Sequence, residues 1–213
     1  MFENIISGQN KTSVKILMMN QEKVKIFFLY NKVLFPHCTN NVNLRLSAFS
    51  QNLKKGDKII AFPIRNVFDI LLIKRRIAVI TEIIDLENKN DRIHLQLKGI
   101  SRVRIKNFTG VHEVTYEIIQ LSGTGSEPEL LKNLRKKAQE LVFLINVEES
   151  DRLIELMNFL FELNQITDFI ANYFVLNHKL RIKLLNETNV IKRSNRLLVI
   201  LNQLIKKWSN TDK

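Results

Sequence analysis

Residues 77–105 read IAVITEIIDLENKNDRIHLQLKGISRVRI, and their pattern of polar and apolar residues gives the strongest indication of structure in the first half of the chain. Residues 77–86 are apolar and rich in β-branched side chains, which is typical of a strand. The polar run at 87–91 predicts a turn. Residues 92–98 then alternate strictly between polar and apolar, so one face of a second strand is apolar. The stretch therefore predicts a long β-hairpin.

The remainder of the first half also favours strands. Gly99 interrupts the alternation and is expected to form a turn, after which residues 102–105 begin another strand. A short helix is predicted at 46–53, because Gly56 follows it and glycine is common just beyond a helix C-terminus. Further strands are predicted at residues 23–29, 58–64 and 114–121.

The second half has helical periodicity. Apolar residues recur three and four positions apart from Pro128 onward, and proline is accepted in a first helical turn. The predicted helices cover residues 128–145 and 151–163, two shorter segments with N-caps at Thr167 and Asn177, and residues 189–208. Five such helices imply a bundle.

Strands and helices are thus segregated along the chain, which predicts the α+β class. The predicted organisation is an N-terminal extension (1–22), a β-rich lobe (23–121), a linker (122–128) and a helical bundle lobe (129–213). The linker is assigned to a cluster of glycine, serine and proline.

The chain has 213 residues, 33 of them basic and 21 acidic, and a formal net charge of +12. Residues 1–120 carry a net charge of +9 and residues 121–213 only +3, so the β lobe holds most of the excess. The longest stretch without charge has twelve residues (33–44), too few to span a membrane. A single cysteine, Cys38, cannot form an internal disulfide, and a cytoplasmic location is expected.

Enzymatic chemistry has little support in the sequence. The six glycines form neither a phosphate-binding loop nor a dinucleotide fingerprint. Cys38 is a candidate nucleophile, but adjacent strand residues face opposite sides, so His94 or His112 rather than His37 would have to activate it. A structural role for Cys38 is the favoured interpretation. Neither a metal site nor a cofactor is predicted, since the histidines are scattered.

Five short segments together resemble the N-terminal domain of the ATP-dependent Lon protease. They are FPH (35–37), IAVI (77–80), KGISRVRI (98–105), ITDFIA (166–171) and LLNETNV (184–190). Each segment is short, and their shared order and spacing carry the resemblance over most of the chain.

The chain departs from the family pattern at Arg75 and Lys98, where the family has a glycine and an acidic residue. The resemblance implies a partly open β-barrel of the pseudouridine-synthase-associated (PUA-like) type with a helical bundle behind it. It also implies recognition of unfolded or damaged polypeptides, without the ATPase and Ser-Lys peptidase modules of the full protease. The chain is therefore expected to be a non-enzymatic binding protein, with a full-length ATP-dependent protease as a partner if it acts as an adaptor.

The segment 62–68 mixes aromatic residues with a proline and turn formers, and an exposed apolar patch there would suit a polypeptide. Basic side chains of the same lobe would favour acidic segments. The predicted substrate-contacting residues are Phe62, Ile64, Phe68, Arg102 and Arg104. The alternative function is RNA or DNA binding by the basic lobe, in which Arg102 and Arg104 would contact phosphates.

Overall fold

A computed structural model describes residues 23–45, 52–89, 92–125, 127–145 and 150–210. The predictions for residues 1–22 and for most of the 46–53 helix lie outside the described residues. The strands are β1 (Val24–Tyr30), β2 (Thr39–Arg45), β3 (Lys58–Ile64), β4 (Ala78–Lys89), β5 (Arg92–Phe108) and β6 (Glu113–Ile118). A short 3-10 helix (Val67–Leu72) follows β3. The helices are α1 (Pro128–Ile145), α2 (Ser150–Asn158), α3 (Leu163–Tyr173), α4 (His178–Asn186) and α5 (Val190–Ser209).

The six strands form one sheet in the order β2-β5-β4-β3-β1-β6, and β6 also pairs with β5. This second pairing closes five strands into a barrel, while β2 extends the sheet beyond it. Among the strands that the structure describes, β1 and β3 are the one pair that runs parallel. The predicted α+β class and the β-lobe-then-helices order are confirmed.

Strand β2 is absent from the sequence-based predictions. Its sequence, TNNVNLR, is polar, and only Val42 and Leu44 are buried. It forms a strand because it pairs over its whole length with β5. Tertiary pairing therefore overrides a weak local preference for the strand.

The predicted turn at Gly99 is wrong, since β5 runs without interruption from Arg92 to Phe108. The pairing of β4 with β5 shifts register between Ile80 and Thr81, opposite this glycine. A Cβ atom at Gly99 would lie 2.3 Å from the carbonyl oxygen of Phe35. Glycine is therefore required here for a close approach of two backbones.

Two apolar cores flank the barrel wall. One fills the barrel interior and the other lies between the outer face of the sheet and the helices. Strand β3 contributes to both, because its alternate side chains point to opposite faces. Ile60, Phe62 and Ile64 belong to the barrel interior, whereas Ile59 and Ala61 face the helices.

The described part of the second half contains five α-helices, as predicted, but some of them begin or end at other residues than expected. Thr167 does not cap a helix, because α3 begins at Leu163 and the Thr167 hydroxyl bonds the carbonyls of Leu163 and Asn164. Asn177 does cap α4, its side chain accepting from the Leu180 N–H. Helix α2 ends at Asn158, earlier than expected. None of the described helices is both long and apolar enough to cross a membrane.

Candidate functional site

The two lobes are joined by a buried ion pair between Arg102 of β5 and Asp168 of α3. The guanidinium donates to both carboxylate oxygens, at 2.7 and 2.6 Å, and its Nε donates to the carbonyl of Leu185. Arg102 is only 3% exposed. The prediction that Arg102 contacts substrate does not fit its position, because its Nε, Nη1 and Nη2 atoms all donate to groups inside the protein.

Arg193 of α5 is a third member of this cluster. Its Nε lies 3.6 Å from Asp168, and its other nitrogens donate to the Glu187 carbonyl and the Thr167 hydroxyl. Burial lowers the pKa of Arg193 to about 10, although Asp168 favours its charged form. Both arginines thus share one buried carboxylate, which makes Asp168 the central residue of the junction.

The segments that carry the family resemblance meet at the same junction. The Asn186 side chain accepts from the Ile77 N–H at 2.9 Å. The His37 N–H donates to the Gly99 carbonyl, and the Gly99 N–H donates to the Cys38 carbonyl. The 35–37 and 98–105 segments thus pair with each other inside the β lobe, whereas 77–80 and 98–105 are bonded to the helical segments 184–190 and 166–171 and join the two lobes. The segments that carry the resemblance are therefore mainly internal.

The exposed apolar side chains of the 3-10 helix form such a surface. Val67, Phe68 and Leu71 are 74%, 78% and 80% exposed, and we call them the apolar projection. Phe68 and Leu71 lie on one side, because residues three apart eclipse in a 3-10 helix. Of the predicted contact residues, Phe68 is exposed, whereas Phe62 and Ile64 are buried in the barrel and present no surface to a substrate.

Asp69 holds the projection in a fixed conformation. Its carboxylate accepts from the N–H groups of Arg65 and Asn66, and the Asn66 side chain accepts from the Asp69 N–H, which forms a capping box. Arg76 makes an ion pair with Asp69 at 2.8 Å. Burial alone would raise the pKa of Asp69, but the two backbone hydrogen bonds and the positive charge of Arg76 have the larger combined effect, so its pKa is lowered. The Asn66-x-x-Asp69 spacing in the sequence is the pattern from which this capping box could be predicted.

Beside the projection lies a cleft of about 380 Å³ between the two lobes, which we call the basic cleft. It is lined by Arg65, Asn66, Asp69 and Arg76 from the β lobe and by His178, Lys179, Ile182 and Lys183 from α4. Lys179 and Lys183 are one helical turn apart and share a face. The sequence-based predictions missed this cleft, because its walls come from segments more than a hundred positions apart.

Arg104, the remaining predicted contact residue, is exposed but lines neither the projection nor the basic cleft. It lies 3.4 Å from Glu117, which Lys106 also contacts at 2.6 Å. The hydrogen bond from Lys106 and the two positive charges lower the pKa of Glu117. The structure thus does not bring the five predicted residues together on one surface.

The candidate nucleophile and the candidate metal ligands were also located in the fold. Cys38 is buried, and burial raises the pKa of its thiol, which disfavours the reactive thiolate. In the described part of the chain, no group of three or more His, Cys, Asp or Glu side chains is placed to hold a metal ion. The structural interpretation of Cys38 is consistent with this environment.

A larger cleft of about 680 Å³ lies in the helical lobe. Its walls include Leu131 and Arg135 of α1 and the exposed Phe161 before α3. Arg135 donates to the carbonyls of Met157 and Leu160, so its guanidinium is occupied in holding α2. This cleft is the competing location for a binding site.

Comparison with known proteins identifies the family. The family model described as the ATP-dependent protease La (LON) substrate-binding domain matches residues 23–203. The N-terminal domain of Lon protease from Mycobacterium avium complex is similar in structure, with 15% identity and a TM-score of 0.62 over 87% of this chain and 98% of that one. A Lon N-terminal domain protein from Xanthomonas campestris has 17% identity and a TM-score of 0.58 over 84% and 98%. The search of curated proteins found no match. The chain belongs to the family of ATP-dependent protease La (LON) substrate-binding domains.

Proposed function

We propose that this protein binds polypeptides that expose apolar segments because they are unfolded or damaged, and that the apolar projection makes the first contact. The observation that carries the proposal is the exposure of Val67, Phe68 and Leu71 on a segment fixed by Asp69. Exposed apolar side chains that lie next to one another often mark a site of interaction with another polypeptide. The family is one of substrate-binding domains, which fits this role.

The projection suits weak and reversible recognition of many sequences. Burying one large apolar side chain contributes about 1.5–3 kcal/mol, so three provide a useful but modest affinity. Because Asp69 and Asn66 already order the segment, little conformational entropy is lost on binding. Such a surface selects exposed apolar side chains rather than one sequence.

The proposed role involves binding without a chemical step. We infer that the bound polypeptide is presented to an ATP-dependent protease, for which the chain acts as an adaptor in the cytoplasm. The family description supports an association with proteolysis.

The experiment is a fluorescence anisotropy titration of a labelled polypeptide that has been reduced and alkylated so that it cannot fold. Wild-type protein should bind it saturably, and Phe68→Ser should weaken binding by at least about tenfold. Phe143→Ser is the matched control, because Phe143 is 70% exposed but lies on α1. Equal effects of the two substitutions, or no saturable binding by the wild type, would contradict the proposal.

A further inference from the structure

The basic cleft carries more positive charge than its own carboxylate balances. Arg65, Arg76, Lys179 and Lys183 face a single acidic residue, Asp69. Asp69 is already paired with Arg76. Among the described residues, Arg65, Lys179 and Lys183 have no carboxylate within ion-pair distance. The cleft therefore has an uncompensated positive charge.

The β-lobe wall of the cleft and the apolar projection belong to one continuous segment. Residues 65, 66 and 69 line the cleft, whereas residues 67, 68 and 71 form the projection. A ligand that contacts Phe68 is thus within a few residues of Arg65 and of the cleft. The positive charge of the cleft and the apolar projection therefore lie side by side on a backbone that is held by the hydrogen bonds to Asp69.

We infer that the basic cleft binds an acidic group of the polypeptide, an Asp or Glu side chain or the C-terminal carboxylate, while a neighbouring apolar residue packs on the projection. This inference rests on the proposed function and narrows it to apolar segments flanked by negative charge. Arginine and lysine form their strongest hydrogen bonds with carboxylates and phosphates. The cleft, at about 380 Å³, holds one such group with part of its chain rather than a folded partner.

A polypeptide fits this surface better than a nucleic acid does. Single-stranded nucleic acids are bound by several aromatic side chains that stack on successive bases beside a basic groove. The projection offers one aromatic ring, Phe68, between two aliphatic side chains.

The test uses two labelled peptides that share the same aromatic and aliphatic residues. One has aspartates beside the apolar residues and a free C-terminus, and the other has asparagines and a C-terminal amide. Wild-type protein should bind the acidic peptide about tenfold more tightly, and added salt should reduce this preference. The double variant Lys179→Gln/Lys183→Gln should lose the preference and leave the affinity for the amide peptide unchanged.

The control double variant is Lys54→Gln/Lys55→Gln, which removes the same charge from an exposed turn before β3. It should keep the preference. If the acidic preference survives in Lys179→Gln/Lys183→Gln, or is lost equally in the control, the inference is overturned. In that case the proposed function still holds if Phe68→Ser weakens the binding of both peptides. The proposed function itself fails if the wild-type protein binds neither peptide. The inference is also overturned if the protein binds a single-stranded oligonucleotide through Lys179 and Lys183 but does not bind the acidic peptide.

Discussion

Arg102 and Asp168 form a two-point ion pair across the lobe junction, with both side chains only 1% exposed. The residues are 66 positions apart and belong to different lobes. A charge so deeply buried is tolerated only when it is paired and hydrogen-bonded. The pair therefore fixes the relative position of β5 and α3, and the bond from Arg102 Nε to the Leu185 carbonyl ties β5 to α4, the helix that forms one wall of the basic cleft.

Replacing Asp168 should destabilise the protein strongly. Asp168→Asn leaves the guanidinium groups of Arg102 and Arg193 buried without a counter-charge. Breaking a buried pair in this way costs about 3–5 kcal/mol of the free energy of unfolding. Urea denaturation followed by circular dichroism measures this loss.

The control for this variant is Glu87→Gln, which removes an ion pair with Lys89 in which both side chains are 59% exposed. Exposed pairs contribute about 0–1 kcal/mol, so this variant should unfold close to the wild type. Similar midpoints for Asp168→Asn and Glu87→Gln would show that the buried cluster does not stabilise the junction.

Gly99→Ala should destabilise the protein although it adds only one methyl group. The new Cβ would meet the Phe35 carbonyl oxygen at 2.3 Å, and this contact is with backbone that cannot rotate away. Forcing an atom into such a site costs about 1–3 kcal/mol. Gly125→Ala is the control, because no atom lies within 4 Å of its added Cβ. Thermal unfolding should separate the two variants, and equal melting temperatures would refute the close-approach explanation.

Acidification should weaken the fold through His178. Burial lowers the pKa of its imidazole from 6.5, helped by Arg181, Arg65 and Arg76 and opposed by the Asp69 carboxylate. At a pH between the two pKa values, the imidazole is protonated in the unfolded chain and neutral in the folded one. The contribution of His178 to the free energy of unfolding is therefore complete above the unfolded pKa and declines as the pH falls below it.

The variant His178→Gln lacks this titration. The free energy of unfolding of the wild type, minus that of the variant, should therefore be larger at about pH 8 than at about pH 5. Denaturant titrations at the two pH values give this difference directly. A difference that stays constant, or that grows on acidification, would contradict the assignment.

The sequence predicts the elements of this fold better than it predicts their surfaces. Strand β3 has the predicted bounds of 58–64, because its apolar run is continuous. The same continuous run does not indicate that Phe62 and Ile64 point into the barrel. A strand buried on both faces lacks the polar–apolar alternation that would distinguish one face from the other. An arginine in an alternating strand suggests a solvent-facing side chain, and only the fold brings Asp168 to Arg102.

The candidate site shows the same limit. The mixed segment 62–68 predicts an apolar patch that includes Val67 and Phe68, but Leu71 lies beyond this segment. Nothing in the local sequence distinguishes an exposed apolar residue such as Leu71 from a buried one. Lys179 and Lys183 face Arg65 only through packing of α4 against the β lobe. Long-range packing, rather than local pattern, assembles this surface.

Binding of polypeptides at the apolar projection can be observed residue by residue in an NMR titration of isotope-labelled protein with an unfolded polypeptide. We predict saturable chemical-shift changes in the amides of residues 65–71 and smaller changes at Leu131 and Phe161, which line the larger cleft of the helical lobe. Changes concentrated at that larger cleft, with residues 65–71 unaffected at saturation, would show that polypeptides do not bind at the projection.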